Sequence, residues 1–145
     1  MTNFVQFEEM SDKSMISTLA AQAHAIWPQE ELIFKRHAEK LNQSSNIKIL
    51  DVGCGTGEIT SRLARLFKNA TIIGVDVIES HLNFAREQYE KEFGERISFQ
   101  LDDTFNLKQK DHSFDLVVCR HVLHAVQQPE LALKEFQRVL KPNGI

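Results

Sequence analysis

The apolar run Ile49-Leu50-Asp51-Val52 passes directly into Gly53-Cys54-Gly55-Thr56-Gly57. Glycine lets backbone approach a bound molecule closely and take positive φ without steric cost. A strand feeding a glycine loop that opens a helix is how open α/β sheets build a cofactor crevice. The spacing then selects the ligand. Dinucleotide folds carry G-x-G-x-x-G after an apolar strand, whereas this chain has G-x-G-x-G with the carboxylate of Asp51 two residues before the first glycine. A carboxylate at a strand tip suits an ammonium group. The loop therefore points to a nucleoside that carries an amino acid, and away from a pyrophosphate. Asp51, Gly53, Cys54, Gly55 and Gly57 are the candidate contacts.

From Ile47 onward strand and helix alternate four times, the pattern of a parallel sheet with crossover helices. Strands are expected at Ile47 to Val52, Thr71 to Val75, Ile97 to Leu101 and Phe114 to Cys119. Helices are expected at Glu58 to Lys68, at Glu79 to Phe93 with Gly94 as a left-handed terminator, and at Pro129 to Leu140. A short helical piece is expected near His121 to Val126. Residues 1–46 read as a helical extension and 47–145 as the ligand-binding core. In the extension a loosely held arm precedes one helix capped at Ser11 or Asp12. Trp27-Pro28 breaks that helix, and Pro28 starts a second.

Two further strand tips carry acids. Asp76, with Val77 beside it, ends the second strand, where a carboxylate can accept both hydroxyls of a ribose; the competing role is a helix cap. Asp102, Asp103 and Thr104 follow the third strand. An acid there can accept the amine of an adenine, with Asp103 the preferred contact, although these residue types also build turns by bonding their own backbone. After the fourth strand, His121 and His124 are candidate proton acceptors, since imidazole titrates near neutrality. Packing of His124 at the sheet edge and partial solvation of His121 are the stronger reading, so no catalytic residue is assigned. No ligand set has metal spacing, and none is expected.

Bulk properties narrow the class. A net charge of −3 lacks the basic excess of a nucleic-acid or membrane-surface binder. No apolar run is long enough to span a bilayer. Two cysteines, Cys54 and Cys119, are too few for a disulfide framework and suit the reducing cytoplasm.

These segments together resemble a class I S-adenosylmethionine-dependent methyltransferase of the small-molecule type. ILDVGCGTG resembles its first motif, IIGVDV its second, ISFQLDD the third-strand motif, and SFDLVVCRHVLHAV with PELALKEFQRVLKPNG the later segments. The resemblance covers Ile47 to Gly144. It implies a Rossmann-like open sheet with strand order 3-2-1-4 and flanking helices. It also implies S-adenosylmethionine as cofactor: Asp51 and the glycine backbone on the methionine part, Asp76 on the ribose, and Asp103 on the adenine. Cys119 and Arg120 would lie near the sulfonium. His81 stands where relatives put an apolar residue against the adenine, and Asn143 replaces a customary glycine.

Relatives carry three more strands, so the resemblance implies an incomplete sheet, from a fragment, a truncated product or half of an assembly. Its fourth strand would lie at an uncovered edge open to self-association. The expected function is methyl transfer to a small-molecule acceptor. A module that binds the nucleoside without turnover is the alternative. A nicotinamide-dependent oxidoreductase is disfavoured by the glycine spacing and by Asp51.

Overall fold

A computed structural model describes residues 14–145; the expected arm and the cap at Ser11 or Asp12 lie outside them. Helix α1 (Ser14–Leu41) leads into β1 (Ile47–Val52), α2 (Glu58–Leu66), β2 (Ala70–Asp76), α3 (Glu79–Ala85), β3 (Ile97–Leu101), β4 (Leu116–Cys119) and α5 (Pro129–Val139). Between α3 and β3 the helix continues through a π turn (Arg86–Glu90), a short α4 (Lys91–Phe93) and a 3₁₀ turn (Gly94–Arg96). The four strands pair in parallel in the order β3-β2-β1-β4. A central parallel strand must be apolar on both faces. Ile49 and Leu50 of β1, both 0% exposed, look to opposite sides. Ile49, Ile72, Ile97, Leu116 and Val118 form one core with α1, α2 and α3; Leu50, Val52 and Val75 form the other with Phe136 and Val139 of α5. Among the described residues no helix is long and apolar enough to cross a membrane.

Three local expectations are corrected. First, Pro28 does not divide the extension: α1 is one helix with Pro28 inside it. Proline deletes one rung of the ladder and its ring crowds the carbonyl four residues back, at a cost of about 3 kcal/mol. Packing outweighs that cost. Ala23, Trp27 and Ala38 are buried along one face, and Trp27 stacks on Phe34 with ring centroids 5.5 Å apart. The guanidinium of Arg62 of α2 lies over the Trp27 ring, 5.4 Å from its centroid.

Second, residues 121–126 form a turn and not a helix. His121 has φ 56°, and Ala125 N–H donates to Val122 O at 2.8 Å. Third, β4 starts at Leu116, Phe114 making only an isolated bridge to Leu140. Nor is its outer edge bare, because Val117 N–H donates to Ile145 O and Ile145 N–H to Asp115 O.

The segment between β3 and β4 has no regular structure, and buried charge fastens it. Asp102 accepts the N–H groups of Asp103 and Lys108. On α5, Glu135 accepts Leu107 N–H while Arg138 donates to Leu107 O and Gln109 O.

We predict that Pro28→Ala restores the missing rung without disturbing the buried face. It should raise unfolding stability by about 1–2 kcal/mol in urea; a loss of stability would mean that the α1 face depends on the proline.

Candidate functional site

Parallel strands bring their C-terminal tips to one side of the sheet, and the three tips β1, β2 and β3 carry Asp51, Asp76 and Asp102. The loop after β1 folds back over β2: Gly53 and Cys54 N–H both donate to Val75 O, at 2.8 and 3.0 Å. Asp76 then ties the loop down. Its Oδ2 accepts Gly55 N–H at 2.8 Å and its Oδ1 accepts Ile78 N–H at 3.0 Å. A carboxylate has about four lone-pair sites, so Asp76 keeps acceptor capacity beyond these backbone donors.

Asp51 is 2% exposed, and Thr60 Oγ1 donates to its Oδ2 at 2.6 Å. Burial pushes its carboxyl up to about 6; the Thr60 hydrogen bond and the Arg120 charge oppose that rise, and Asp76 adds to it. Asp76 is likewise raised by burial, against the Gly55 and Ile78 hydrogen bonds. Arg120, at the tip of β4, forms an ion pair with Glu30 of α1. Its Nη2 is buried without a hydrogen-bond partner among the described residues.

A cleft with two continuous lobes lies over these tips. The larger, about 780 Å³, runs along Val75 to Ile78 past His81, Asp102, Thr104, Val122 and Ala125. The smaller, about 500 Å³, lies between Asp51, Cys54, Thr56 and Glu58 on one side and Gln22 and Ala23 of α1 on the other. Leu19, Gly53, Gly55, Arg120 and His121 line both. Thr104 Oγ1 adds a buried hydroxyl on this wall with no hydrogen-bond partner among the described residues.

Of the expected residues, Asp51, Gly53, Cys54, Gly55, Asp76, Val77, His81, Asp102, Thr104, Arg120 and His121 come together in this wall. Gly57, Asp103, Cys119 and His124 do not. A side chain at Gly57 would meet Phe99 and Ala85, so this glycine serves packing beneath the loop. Asp103 is exposed and its Oδ1 accepts Phe105 N–H at 2.9 Å, which is the turn use of an acid, while Asp102 faces the cleft. Cys119 points to the α5 core, and burial pushes its thiol up to about 12. His124 is exposed, and its ring lies edge-to-face with that of His121, centroids 6.2 Å apart.

The remaining glycines also divide their work. A Cβ at Gly53 would lie 2.0 Å from Val122 Cγ2, so this glycine admits the turn after β4. Gly55, φ +53°, has only Leu19 nearby, at 3.6 Å, and is the glycine that leaves the cleft open. Sequence reasoning missed the α1 residues, whose apolar stripe looks like any core-facing helix. It also missed Glu30, which carries no local signal.

A family profile described as a methyltransferase domain matches residues 43–145. The chain is 32% identical over 144 residues to methyltransferase GfsG of Streptomyces halstedii, covering 99% of this chain and 49% of that protein. It is 33% identical over 115 residues to a ubiquinone biosynthesis O-methyltransferase of Rickettsia felis, covering 79% of this chain and 46% of the relative. It thus spans about half the length of these curated relatives. Among solved structures, a SAM-dependent methyltransferase from Aquifex aeolicus superposes with TM-score 0.72 at 22% identity, over 90% of this chain and 68% of the other. Haemonchus contortus phosphoethanolamine N-methyltransferase 2, solved with phosphomonomethylethanolamine and S-adenosylhomocysteine, superposes with TM-score 0.71 at 27% identity. That match covers 81% of this chain and 27% of the other.

Two stability predictions follow from the geometry. Gly53→Ala drives a methyl group into Val122 and should destabilise the fold by about 2 kcal/mol or more; an unchanged melting temperature would show that the turn yields freely. A carboxyl raised from 3.8 to about 6 in the fold stabilises it most when protonated and loses that contribution as pH rises through this range. Asp51→Asn removes the ionised group and should therefore stabilise the protein by about 1–3 kcal/mol at pH 7. The gain should shrink toward pH 4, and a gain independent of pH would overturn the burial argument.

Proposed function

Because the chain belongs to the S-adenosylmethionine-dependent methyltransferase family, we propose that its cleft holds S-adenosylmethionine for methyl transfer to a small-molecule acceptor. The supporting observation is the pair of carboxylates, buried Asp51 and half-buried Asp76, flanking one glycine loop in a two-lobed cleft. The residues fit the group. Asp51, about 2% exposed with Arg120 as its nearby cation, suits an ammonium brought in by a ligand. Asp76 suits the ribose hydroxyls, and the larger lobe, between Val77, His81, Asp102 and Thr104, suits the adenine. We assign residues 1–46 to a helical extension, of which Leu19, Gln22 and Ala23 line the cleft, and 47–145 to the binding core. A cytoplasmic site of action agrees with the free thiols of Cys54 and Cys119.

When bound, the cofactor supplies an electrophilic methyl group on a sulfonium. The protein's part is alignment and exclusion of water. Asp51 and Asp76 fix the two ends, Gly55 admits the chain between them, and Leu19, Gln22 and Ala23 close the cleft from above. His121, at the seam of the two lobes, is the one of the two candidate histidines positioned to take a proton from a neutral acceptor. A small-molecule acceptor agrees with relatives such as the ubiquinone biosynthesis O-methyltransferases.

Calorimetry with S-adenosylhomocysteine tests the reading. The 145-residue chain should bind it and leave NADH unbound. Asp76→Ala should weaken binding by about 1.5–3 kcal/mol, the loss of a charged hydrogen bond. Affinity should fall as pH drops through about 6, because protonating Asp51 removes the partner of the ligand's ammonium. Heat evolved by NADH alone, or an Asp76→Ala variant with full affinity, would refute the assignment.

A further inference from the structure

β2 carries a glycine in mid-strand, Gly74, and strand interiors use glycine where something approaches closely. What approaches is Phe99. The register aligns Asp51 of β1 with Gly74 of β2, and Gly74 with Phe99 of the edge strand β3. Residues in one such row face the same side of the sheet. With no side chain at Gly74, the ring of Phe99 lies across β2 toward the glycine loop. A Cβ built at Gly74 would stand 2.8 Å from Phe99 Cδ1 and 3.0 Å from Cys54 Sγ. One built at Gly57 would stand 2.9 Å from Phe99 Cζ. One ring thus occupies the room left by two missing side chains, and it reaches the last glycine of the loop.

The ring is held from outside the sheet. Phe99 presents its backbone N–H and C=O to the free edge of β3, where Arg86 Nε and Nη2 donate to its oxygen at 3.2 and 3.0 Å. Phe99 N–H donates to Glu90 Oε1 at 3.3 Å. Both side chains come from the π turn, so that departure from α-helix has a consequence at the strand it faces.

We infer that Phe99 is a positioning residue for the cofactor: its ring, seated over Gly74 and under Gly57, sets the shape of the loop from Gly53 to Gly57. The inference rests on the proposed cofactor site, and a ligand-free measurement separates the two. A ring that merely filled the core would leave the loop amides unchanged when trimmed. A positioning ring makes loop geometry depend on the summed bulk at Phe99 and Gly74.

Three variants test this: Gly74→Ala, Phe99→Leu, and the two together. Gly74→Ala should push ring and thiol toward the loop and weaken S-adenosylhomocysteine binding about tenfold or more, since small misplacements at a reacting site are costly. The double variant, which gives the added methyl room, should return to within about threefold of wild type. Phe99→Leu alone, without ligand, should speed amide exchange at residues 53–57 about tenfold while leaving β1 protected. Full affinity in Gly74→Ala, or a folded double variant binding no better than Gly74→Ala, would overturn the inference. If Gly74→Ala does not fold, the exchange result decides, and unchanged loop amides in Phe99→Leu would overturn the inference. Failure of the wild type to bind the ligand would instead count against the cofactor reading.

Discussion

Two carboxylates withdrawn from water at adjacent strand tips are the constraint around which this structure is arranged. Asp51 and Asp76 each resist burial as anions, and the charge of Asp76 raises the cost at Asp51. The fold offsets that cost with directed donors. Thr60 Oγ1 serves Asp51, and backbone N–H groups from Gly55 and Ile78 serve Asp76. Hydrogen bonds to charged groups are about twice as strong as neutral ones. Even so, the Asp51 carboxyl stays up at about 6, so the compensation is incomplete in the ligand-free protein. Residual electrostatic strain at a cleft is what a cationic ligand group can relieve on binding, and it links the fold's energetics to its proposed role.

The glycine loop shows how sequence spacing and structural use diverge. Three glycines at alternate positions read as three concessions to one ligand. In the folded protein they serve three neighbours: Gly53 admits Val122, Gly55 leaves the cleft open beside Leu19, and Gly57 rests on Phe99 and Ala85. Gly53 and Gly55 line the cleft, and Gly57 lies beneath the loop. The motif is therefore as much a packing code between the sheet and the turn after β4 as a binding code. That turn takes left-handed backbone at His121, a strained choice for a non-glycine residue, and so presses Val122 into the notch at Gly53.

The sheet was legible because its signals are local. β1 and β3 agree with the expected bounds, since apolar runs bounded by turn residues leave little choice, and the order 3-2-1-4 follows the family resemblance. The acids at the tips of β1 and β2 were legible for the same reason. Choices set by distant partners were not. The turn use of Asp103 was one of two readings open in the sequence, but which of the two acids would line the cleft was not legible. That depends on Glu135 and Arg138, about thirty residues later, pinning Leu107 and Gln109. Pro28 misled in the same way, because proline's local preference was outweighed by the stripe Ala23, Trp27 and Ala38, which runs through it unbroken.

Helix α1 thereby acquires two duties on opposite sides of one missing hydrogen bond. N-terminal to Pro28, Leu19, Gln22 and Ala23 face the cleft; C-terminal to it, Glu30 grips Arg120 and Ala38 is buried. Arg120 is the shared element, since it lines both lobes and bears on the charge of Asp51. A guanidinium in that position links Glu30 to the Asp51 end of β1, because a half-buried ion pair leaves its charge less compensated when one partner is removed. The N-terminal helix is therefore coupled to the cleft by charge as well as by contact. An extension that merely covered the cleft would need the contact alone.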